Sequence, residues 1–262
     1  MARILFAAVA LCLALAPPAG CAVRAEMSDS FHWRPASNAM GWVVFLPGSG
    51  GLRVLDDDHH YFDLASRLNR SGWSVLLVDY KPAYQAAGTA PKRSTGEKIA
   101  WVTEQAVGWM RHEHPETAAL PGALVAWSLG AEGALRIVND PSLPKTLGMQ
   151  AAVLYYPSNQ EKLRLNNQLP VLLLTGELDD VVRAIDVQTL VRDRPENAPS
   201  AELQVYPGAR HGFDVASLRK RKTLRILPLV GPKATLQYDE AAAKDAEGRL
   251  VGFLASNVSR TR

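Results

Sequence analysis

Short apolar runs alternate with helix-like segments along most of this chain, and this alternation limits the folds it can adopt. The apolar runs are at residues 41–46, 73–78, 123–127, 151–155, 171–174 and 202–206. Helical patterns follow at residues 56–68, 97–112, 129–138, 180–191 and 240–255. Continuous apolar strands that alternate with helices are typical of a parallel sheet buried on both faces. The predicted fold class is therefore α/β, with a mostly parallel central sheet and helices on both faces.

The first 25 residues are predicted to be a signal peptide rather than part of the fold. Arg3 precedes an apolar run at residues 4–16 that is too short to span a bilayer. Two forms stay open: cleavage after Ala25, or a lipoprotein signal in which Cys21 becomes the lipidated first residue. An uncleaved anchor is a third alternative. We expect an exported protein that is periplasmic, lipid-anchored in a bacterial envelope, or secreted.

Residues 26–262 are predicted to form a single catalytic domain, because they contain no internal repeat and no Ser/Gly-rich linker. Both cysteines, Cys12 and Cys21, lie in the leader, so this domain would have neither a disulfide nor a thiol nucleophile. The formal charge of +3 gives no sign of a nucleic-acid partner, which would require extended basic tracts. The expected partner is a small molecule, and the sequence leaves the oligomeric state open.

Ser128 lies at the junction between an apolar strand and a helix, where a nucleophile elbow places its serine. Ala126 and Gly130 flank it, so the tract matches Gly-x-Ser-x-Gly with alanine in place of the first glycine. Small residues are needed there because the strand and the helix pack closely at the turn. A serine in this position can also serve only as a helix N-cap.

Two further polar positions follow strand ends later in the chain. Asp179 and Asp180 follow the fifth apolar run, and His211 lies in a glycine-containing loop after the sixth. The carboxyl ends of parallel strands open on one crevice, so these side chains are expected to meet there. Either carboxylate could orient His211, and either could cap the following helix. We favour Asp179 as the acid that orients His211 and Asp180 as the cap. The chain order of Ser128, Asp179 and His211 is that of the α/β-hydrolases.

The oxyanion that forms when a serine attacks an acyl carbon needs backbone N–H donors. The predicted donors are those of Leu129, directly after the nucleophile, and of Ser49, in the glycine-rich loop 47–51 after the first apolar run. That loop could instead cradle a phosphate, but no lysine follows it as in a P-loop. No cofactor is expected.

Two runs of charged residues have both a functional and a structural interpretation. Residues 56–60 (Asp-Asp-Asp-His-His) suggest a metal cluster, but consecutive helical residues point in different directions and acids are favourable at a helix start. No metal site is predicted there. The basic run from Arg219 to Arg225 follows His211 closely. It could border the active site and attract acidic substrates or anionic lipid, or it could be a solvated loop.

The tracts around the acid and the histidine resemble the dienelactone hydrolase family of α/β-hydrolases. Residues 206–214 resemble that family's histidine loop, residues 176–179 its acid turn, and residues 238–246 with 253–254 its closing helix. The resemblance extends over roughly residues 40–257. It implies an α/β-hydrolase fold and hydrolase chemistry.

Two departures from that family concern the substrate. Its founding members use a cysteine nucleophile and a glutamate in the oxyanion loop, whereas this chain has Ser128 and no glutamate in residues 47–52. We therefore predict a serine hydrolase that cleaves carboxylic esters or lactones through an acyl-enzyme on Ser128, with His211 as general base and acid. An acyltransferase with the same triad and a catalytically silent binding protein are the alternatives.

Overall fold

The computed structural model describes residues 26–88, 93–220, 222–224 and 234–259. The predicted signal peptide, including Cys21, lies outside the described residues, as do Arg221 and Arg225 of the basic run. No helix within the described ranges is long and apolar enough to cross a membrane.

A seven-stranded sheet forms the centre of the protein. Its strands are β1 (Phe31–Arg34), β2 (Gly41–Leu46), β3 (Trp73–Val78), β4 (Gly122–Trp127), β5 (Met149–Tyr155), β6 (Val171–Gly176) and β7 (Ala201–Tyr206). They lie in the order β1-β3-β2-β4-β5-β6-β7. The neighbouring pairs from β3 to β7 are parallel, whereas β1 is antiparallel to β3. The predicted sheet is confirmed, and β1, which the apolar pattern did not reveal, adds an antiparallel edge.

Helices cover both faces of this sheet. They are α1 (His60–Arg70), α2 (Tyr80–Ala86), α3 (Thr95–Glu113), α4 (Gly130–Asn139), α5 (Leu143–Leu147), α6 (Ala184–Arg192) and α7 (Glu240–Asn257). Successive strand residues point to opposite faces, so Val44 and Leu124 pack with α3 and α4, while Val43 and Val125 pack with α1 and α7. Each such buried side chain contributes roughly 1.5–3 kcal/mol. This two-sided burial is why the central strands contain almost no polar residues.

Two helices begin later than their sequence patterns predicted. The helix predicted from residue 56 begins at His60, because Asp57 Oδ1 accepts hydrogen bonds from the backbone N–H groups of His59 and His60 and forms a turn before it. The helix predicted from residue 180 begins at Ala184. Before each helix an aspartate accepts backbone N–H groups and holds the chain in a turn: Asp57 before His60, and Asp179 before Ala184.

Two segments that lacked a regular pattern contain short elements. Residues 81–94, which show no regular apolar pattern in the sequence, include most of α2 and Ser94, the N-cap of α3. Residues 215–237, an insertion between the histidine loop and α7, include β8 (Lys222–Leu224), which pairs antiparallel with β9 (Ala234–Leu236). Elements this short carry too few residues for an apolar period to be recognised. β9 also bridges to His211, so this insertion packs directly against the histidine loop.

Candidate active site

Ser128 occupies a sharp turn between β4 and α4. Its φ is 47°, in the left-handed region that non-glycine residues rarely adopt, and its backbone N–H donates to Tyr155 O at 3.0 Å. Gly130 allows the turn to close, because a Cβ there would collide with the carbonyl oxygens of Leu46 and Pro47. The predicted elbow geometry is therefore present, and it presents a half-buried serine hydroxyl at the carboxyl end of the sheet.

The structure brings the three predicted residues Ser128, Asp179 and His211 together. His211 Nε2 lies 3.1 Å from Ser128 Oγ, and its Nδ1 lies 2.8 Å from Asp179 Oδ2. The Asp179 side chain is completely buried, and the His211 side chain is nearly so. Both imidazole nitrogens thus have a partner, and the arrangement fits a serine, a base and an acid that orients the base.

Asp179 Oδ1, the oxygen that does not contact His211, stabilises the turn that follows β6. Asp179 Oδ1 accepts hydrogen bonds from the backbone N–H groups of Val181 at 2.8 Å and Val182 at 2.7 Å. The prediction that Asp180 caps the following helix is wrong, because Asp180 Oδ1 instead accepts the backbone N–H of Thr235 in β9 at 2.8 Å. Asp179 itself accepts the hydrogen bonds from the N–H groups of the turn, and Asp180 attaches the insertion to the acid turn.

Backbone contacts hold the acid turn against the histidine loop. Leu178 N–H donates to Ala209 O at 2.9 Å, and a Cβ at Gly176 would lie 2.5 Å from that same oxygen. On the other side, Gln237 N–H donates to His211 O at 3.2 Å. Because its backbone is held from both sides, His211 has a defined position above Ser128.

The loop after β2 lies beside the nucleophile and is held by two tyrosines. A Cβ at Gly48 would be 3.6 Å from Ser128 Cβ. The Gly48 N–H donates to the hydroxyl of Tyr61, and the hydroxyl of Tyr80 donates to Gly48 O, each at 3.0 Å. Burial raises the pKa of both tyrosines well above its ordinary value, so both hydroxyls stay protonated. The peptide that precedes Ser49 is therefore fixed.

The two predicted oxyanion donors are placed at this edge of the sheet. Ser49 is exposed and Leu129 is half-buried. Within the described part of the chain, neither backbone N–H donates to a protein acceptor. Lys81 Nζ contacts the carbonyl oxygen of Ser49, which holds the peptide that follows Ser49. This geometry agrees with an oxyanion role for both N–H groups, which stays a prediction.

Four buried or largely buried polar residues around this site escaped the sequence reasoning: Tyr61, Tyr80, Tyr156 and Asp214. Tyr80 and Tyr156 lie just after the ends of β3 and β5, so the rule that strand ends carry the site could have indicated them. Tyr61 and Asp214 had no comparable signal. Each binds a residue distant in the sequence, and no local pattern predicts such a contact.

Two described residues of the basic run, Arg219 and Lys222, contact acids of the same protein. Arg219 Nη1 lies 3.4 Å from Glu240 Oε2, and its guanidinium lies over the Tyr238 ring. Lys222 Nζ lies 3.1 Å from Asp56 Oδ2. These contacts give Arg219 and Lys222 a structural role in attaching the insertion to its neighbours.

The sheet order, the serine elbow and the facing acid and histidine define the α/β-hydrolase class. Solved structures show the same fold. A dienelactone hydrolase from Anabaena variabilis is 18% identical, with a TM-score of 0.61 over 87% of this chain and 91% of that one. A lidless α/β serine hydrolase from Xanthomonas campestris is 15% identical, with a TM-score of 0.55 over 88% and 90%. A butyrate-bound esterase from Thermogutta terrifontis is 16% identical, with a TM-score of 0.60 over 86% and 88%.

The family follows from the sequence. The profile of the dienelactone hydrolase family matches residues 29–258, and the chain belongs to that family. No curated protein sequence matches this chain at a significant level. The predicted resemblance and the α/β-hydrolase fold are thereby confirmed, and the protein is a hydrolase by family.

Proposed function

We propose that this protein is a serine hydrolase that cleaves carboxylic esters or lactones through an acyl-enzyme on Ser128. The observation that carries the proposal is the position of His211, whose two ring nitrogens lie 3.1 Å from Ser128 Oγ and 2.8 Å from Asp179 Oδ2. A histidine held in this way can accept a proton from the serine while the carboxylate stabilises the resulting imidazolium. The structural similarity to a butyrate-bound esterase and to a lidless serine hydrolase supports the same chemistry.

In the first half of the proposed reaction, Ser128 Oγ attacks the acyl carbon as its proton passes to His211 Nε2. The acyl oxygen becomes an oxyanion that accepts hydrogen bonds from the Ser49 and Leu129 N–H groups. His211 then gives the proton to the leaving alkoxide, and an ester bond to Ser128 remains. In a lactone the leaving alkoxide stays attached to the acyl group.

In the second half, water attacks the acyl-enzyme. His211 takes a proton from this water and returns it to Ser128 Oγ as the carboxylic acid leaves. Asp179 keeps the Nδ1 proton of His211 in place during both halves. No metal or cofactor takes part in these steps.

A fluorophosphonate probe tests this proposal, because it reacts with an activated serine and not with an ordinary hydroxyl. We expect covalent labelling at Ser128, found by peptide mass spectrometry, together with hydrolysis of p-nitrophenyl acetate and butyrate. Ser128→Ala should lose the label and lower kcat by about 10⁴-fold or more. Ser66→Ala is a matched control, since the exposed hydroxyl of Ser66 donates to Phe62 O within α1.

The same experiment separates the alternatives. Folded protein that shows neither labelling nor hydrolysis would contradict the proposal and favour a silent binding protein. Formation of a new ester when an alcohol is added, in preference to free acid, would favour acyl transfer. Ester chain length and ring closure in the substrate series would then indicate whether linear esters or lactones react faster.

A further inference from the structure

Asp214 is a buried carboxylate three residues after His211, and the reaction described above does not use it. Its Oδ1 accepts a hydrogen bond from the Tyr156 hydroxyl, and its Oδ2 accepts one from Trp127 Nε1, both at 2.8 Å. His60 Nε2 lies 3.4 Å from Oδ2, a longer, electrostatic contact. A carboxylate buried to this extent is stable only when donors surround it.

The ionisation states in this cluster follow from these contacts. Burial is the largest influence on the pKa of Asp214 and raises it, but the contacts with His60, Tyr156 and Trp127 together outweigh burial and lower the pKa below its ordinary value. Burial, and then the negative charge of Asp214, raise the pKa of Tyr156 well above its ordinary value. At neutral pH, Asp214 is therefore an anion, and Tyr156 keeps the proton that it donates.

Both donors lead directly to the proposed triad. Trp127 is the last residue of β4 and is bonded covalently to Ser128. The ring of Tyr156 packs on the imidazole of His211, with the two ring centroids 4.4 Å apart. Asp214 thus connects the residue before the nucleophile with the aromatic ring that lies against the base.

Tyr156 is held tightly at both of its ends. Its φ is 35°, a strained value for a tyrosine, and its backbone N–H donates to Leu174 O at 2.6 Å. At the other end, the hydroxyl is bound by Asp214. With both ends held, the ring fixes the imidazole of His211 in a direction that the hydrogen bond to Asp179 does not control.

A buried ion is a costly way to fill space, and apolar residues of the same volume often stabilise a protein as well or better. We propose that Asp214 is a positioning residue for acyl transfer, and that its carboxylate acts through Trp127 and Tyr156 to fix Ser128 and His211 relative to each other. This inference rests on the proposed function. Asp214 contacts none of the reacting atoms, so its effect is on the geometry of attack.

The substitution Asp214→Asn tests this role with little change in volume. An asparagine has one acceptor oxygen, and Trp127 Nε1–H can only donate, so that oxygen must stay on Trp127. The amide NH₂ then faces the Tyr156 hydroxyl, which must accept a hydrogen bond instead of donating one. The Tyr156 hydroxyl proton loses its acceptor and His60 loses the negative charge beside it, so the cluster must shift. A displacement on the order of 1 Å in a catalytic group can cost about 10²-fold in rate. We expect kcat for p-nitrophenyl butyrate to fall by about that factor, with KM within about threefold.

Two further variants complete the test. Tyr156→Phe keeps the ring against His211 but removes the hydroxyl, and should lower kcat by about tenfold. Asp245→Asn is the control for loss of a carboxylate that accepts a tyrosine hydroxyl. Asp245 is half-exposed, accepts the Tyr206 hydroxyl at 3.0 Å and pairs with Arg249, and the Tyr206 ring packs on Phe213 and not on His211. Its kcat should stay within about twofold of the unmodified protein.

Rates are measured well below each melting temperature, so that lost stability alone does not lower them. The rate of fluorophosphonate labelling at Ser128 should fall in parallel with kcat, because both reactions need the same attack. If Asp214→Asn does not fold, Tyr156→Phe decides alone. The inference is overturned if the folded variants keep kcat and the labelling rate within twofold, or if only KM changes. If the unmodified protein is not labelled at Ser128, the proposed function fails instead.

Discussion

Replacing Asp179 by asparagine should reverse the proton arrangement of His211. Asp179 Oδ1 accepts backbone N–H groups from Val181 and Val182, at 2.8 and 2.7 Å, so the amide oxygen of an asparagine must take that position. The amide NH₂ then faces His211 Nδ1, which lies 2.8 Å from Oδ2 in the unmodified protein. Since the NH₂ group is a donor, Nδ1 must become an acceptor, and the ring proton moves to Nε2.

A histidine that carries its proton on Nε2 cannot accept one from Ser128. A change of tautomer of this kind lowers kcat by about 10⁴-fold in a serine triad, which corresponds to about 5.4 kcal/mol of transition-state stabilisation. Stability should change little, because both backbone hydrogen bonds are kept. Asp179→Ala should lose a similar factor in kcat and also destabilise the fold, since each N–H left without a partner costs about 1–3 kcal/mol.

The assay is hydrolysis of p-nitrophenyl acetate, with kcat and KM measured separately and the melting temperature recorded for each variant. Asp180→Asn is the control, because its side-chain oxygen can still accept the Thr235 N–H and kcat should stay within twofold. A kcat for Asp179→Asn within tenfold of the unmodified protein would refute the reasoning.

Three other predictions concern packing, pH and the leader. Gly130→Ala places a Cβ against the carbonyl oxygens of Leu46 and Pro47 and should lower the free energy of unfolding in denaturant by about 1–3 kcal/mol. Gly252→Ala is the control, because open space surrounds that position in α7, and its free energy of unfolding should be unchanged or up to about 1 kcal/mol higher. The pKa of Asp214 in the folded protein lies below its ordinary value of 3.8, so the unfolded chain binds more protons in acid. The stability that Asp214 contributes is therefore lost as the pH falls below 3.8. Asp214→Asn should flatten the plot of melting temperature against pH in that range. Mass spectrometry of the exported protein should find an N-terminus directly after Ala25 or a lipidated Cys21, and an intact leader would contradict both forms.

The local sequence pattern was enough to predict the central sheet and the positions of the three triad residues. The continuous apolar strands can be stable only if both faces of the sheet are covered, and the structure has helices there. Ser128 between small residues, Asp179 after β6 and His211 after β7 were predicted because the carboxyl ends of parallel strands meet at one edge. The alternation of apolar runs with helical patterns, the residues that follow each strand, and the order of the triad along the chain can all be read directly from the sequence.

The tertiary structure decided which neighbour takes which role. The sequence favoured Asp179 as the acid but gave Asp180 the wrong partner, because only the path of β9 brings the Thr235 N–H to Asp180 while Asp179 contacts His211. The tyrosines that hold the loop after β2, and the carboxylate of Asp214, likewise act across long stretches of chain. Hydrogen bonds between distant residues depend on tenths of an ångström in distance and on direction, and these are set only when the whole core packs.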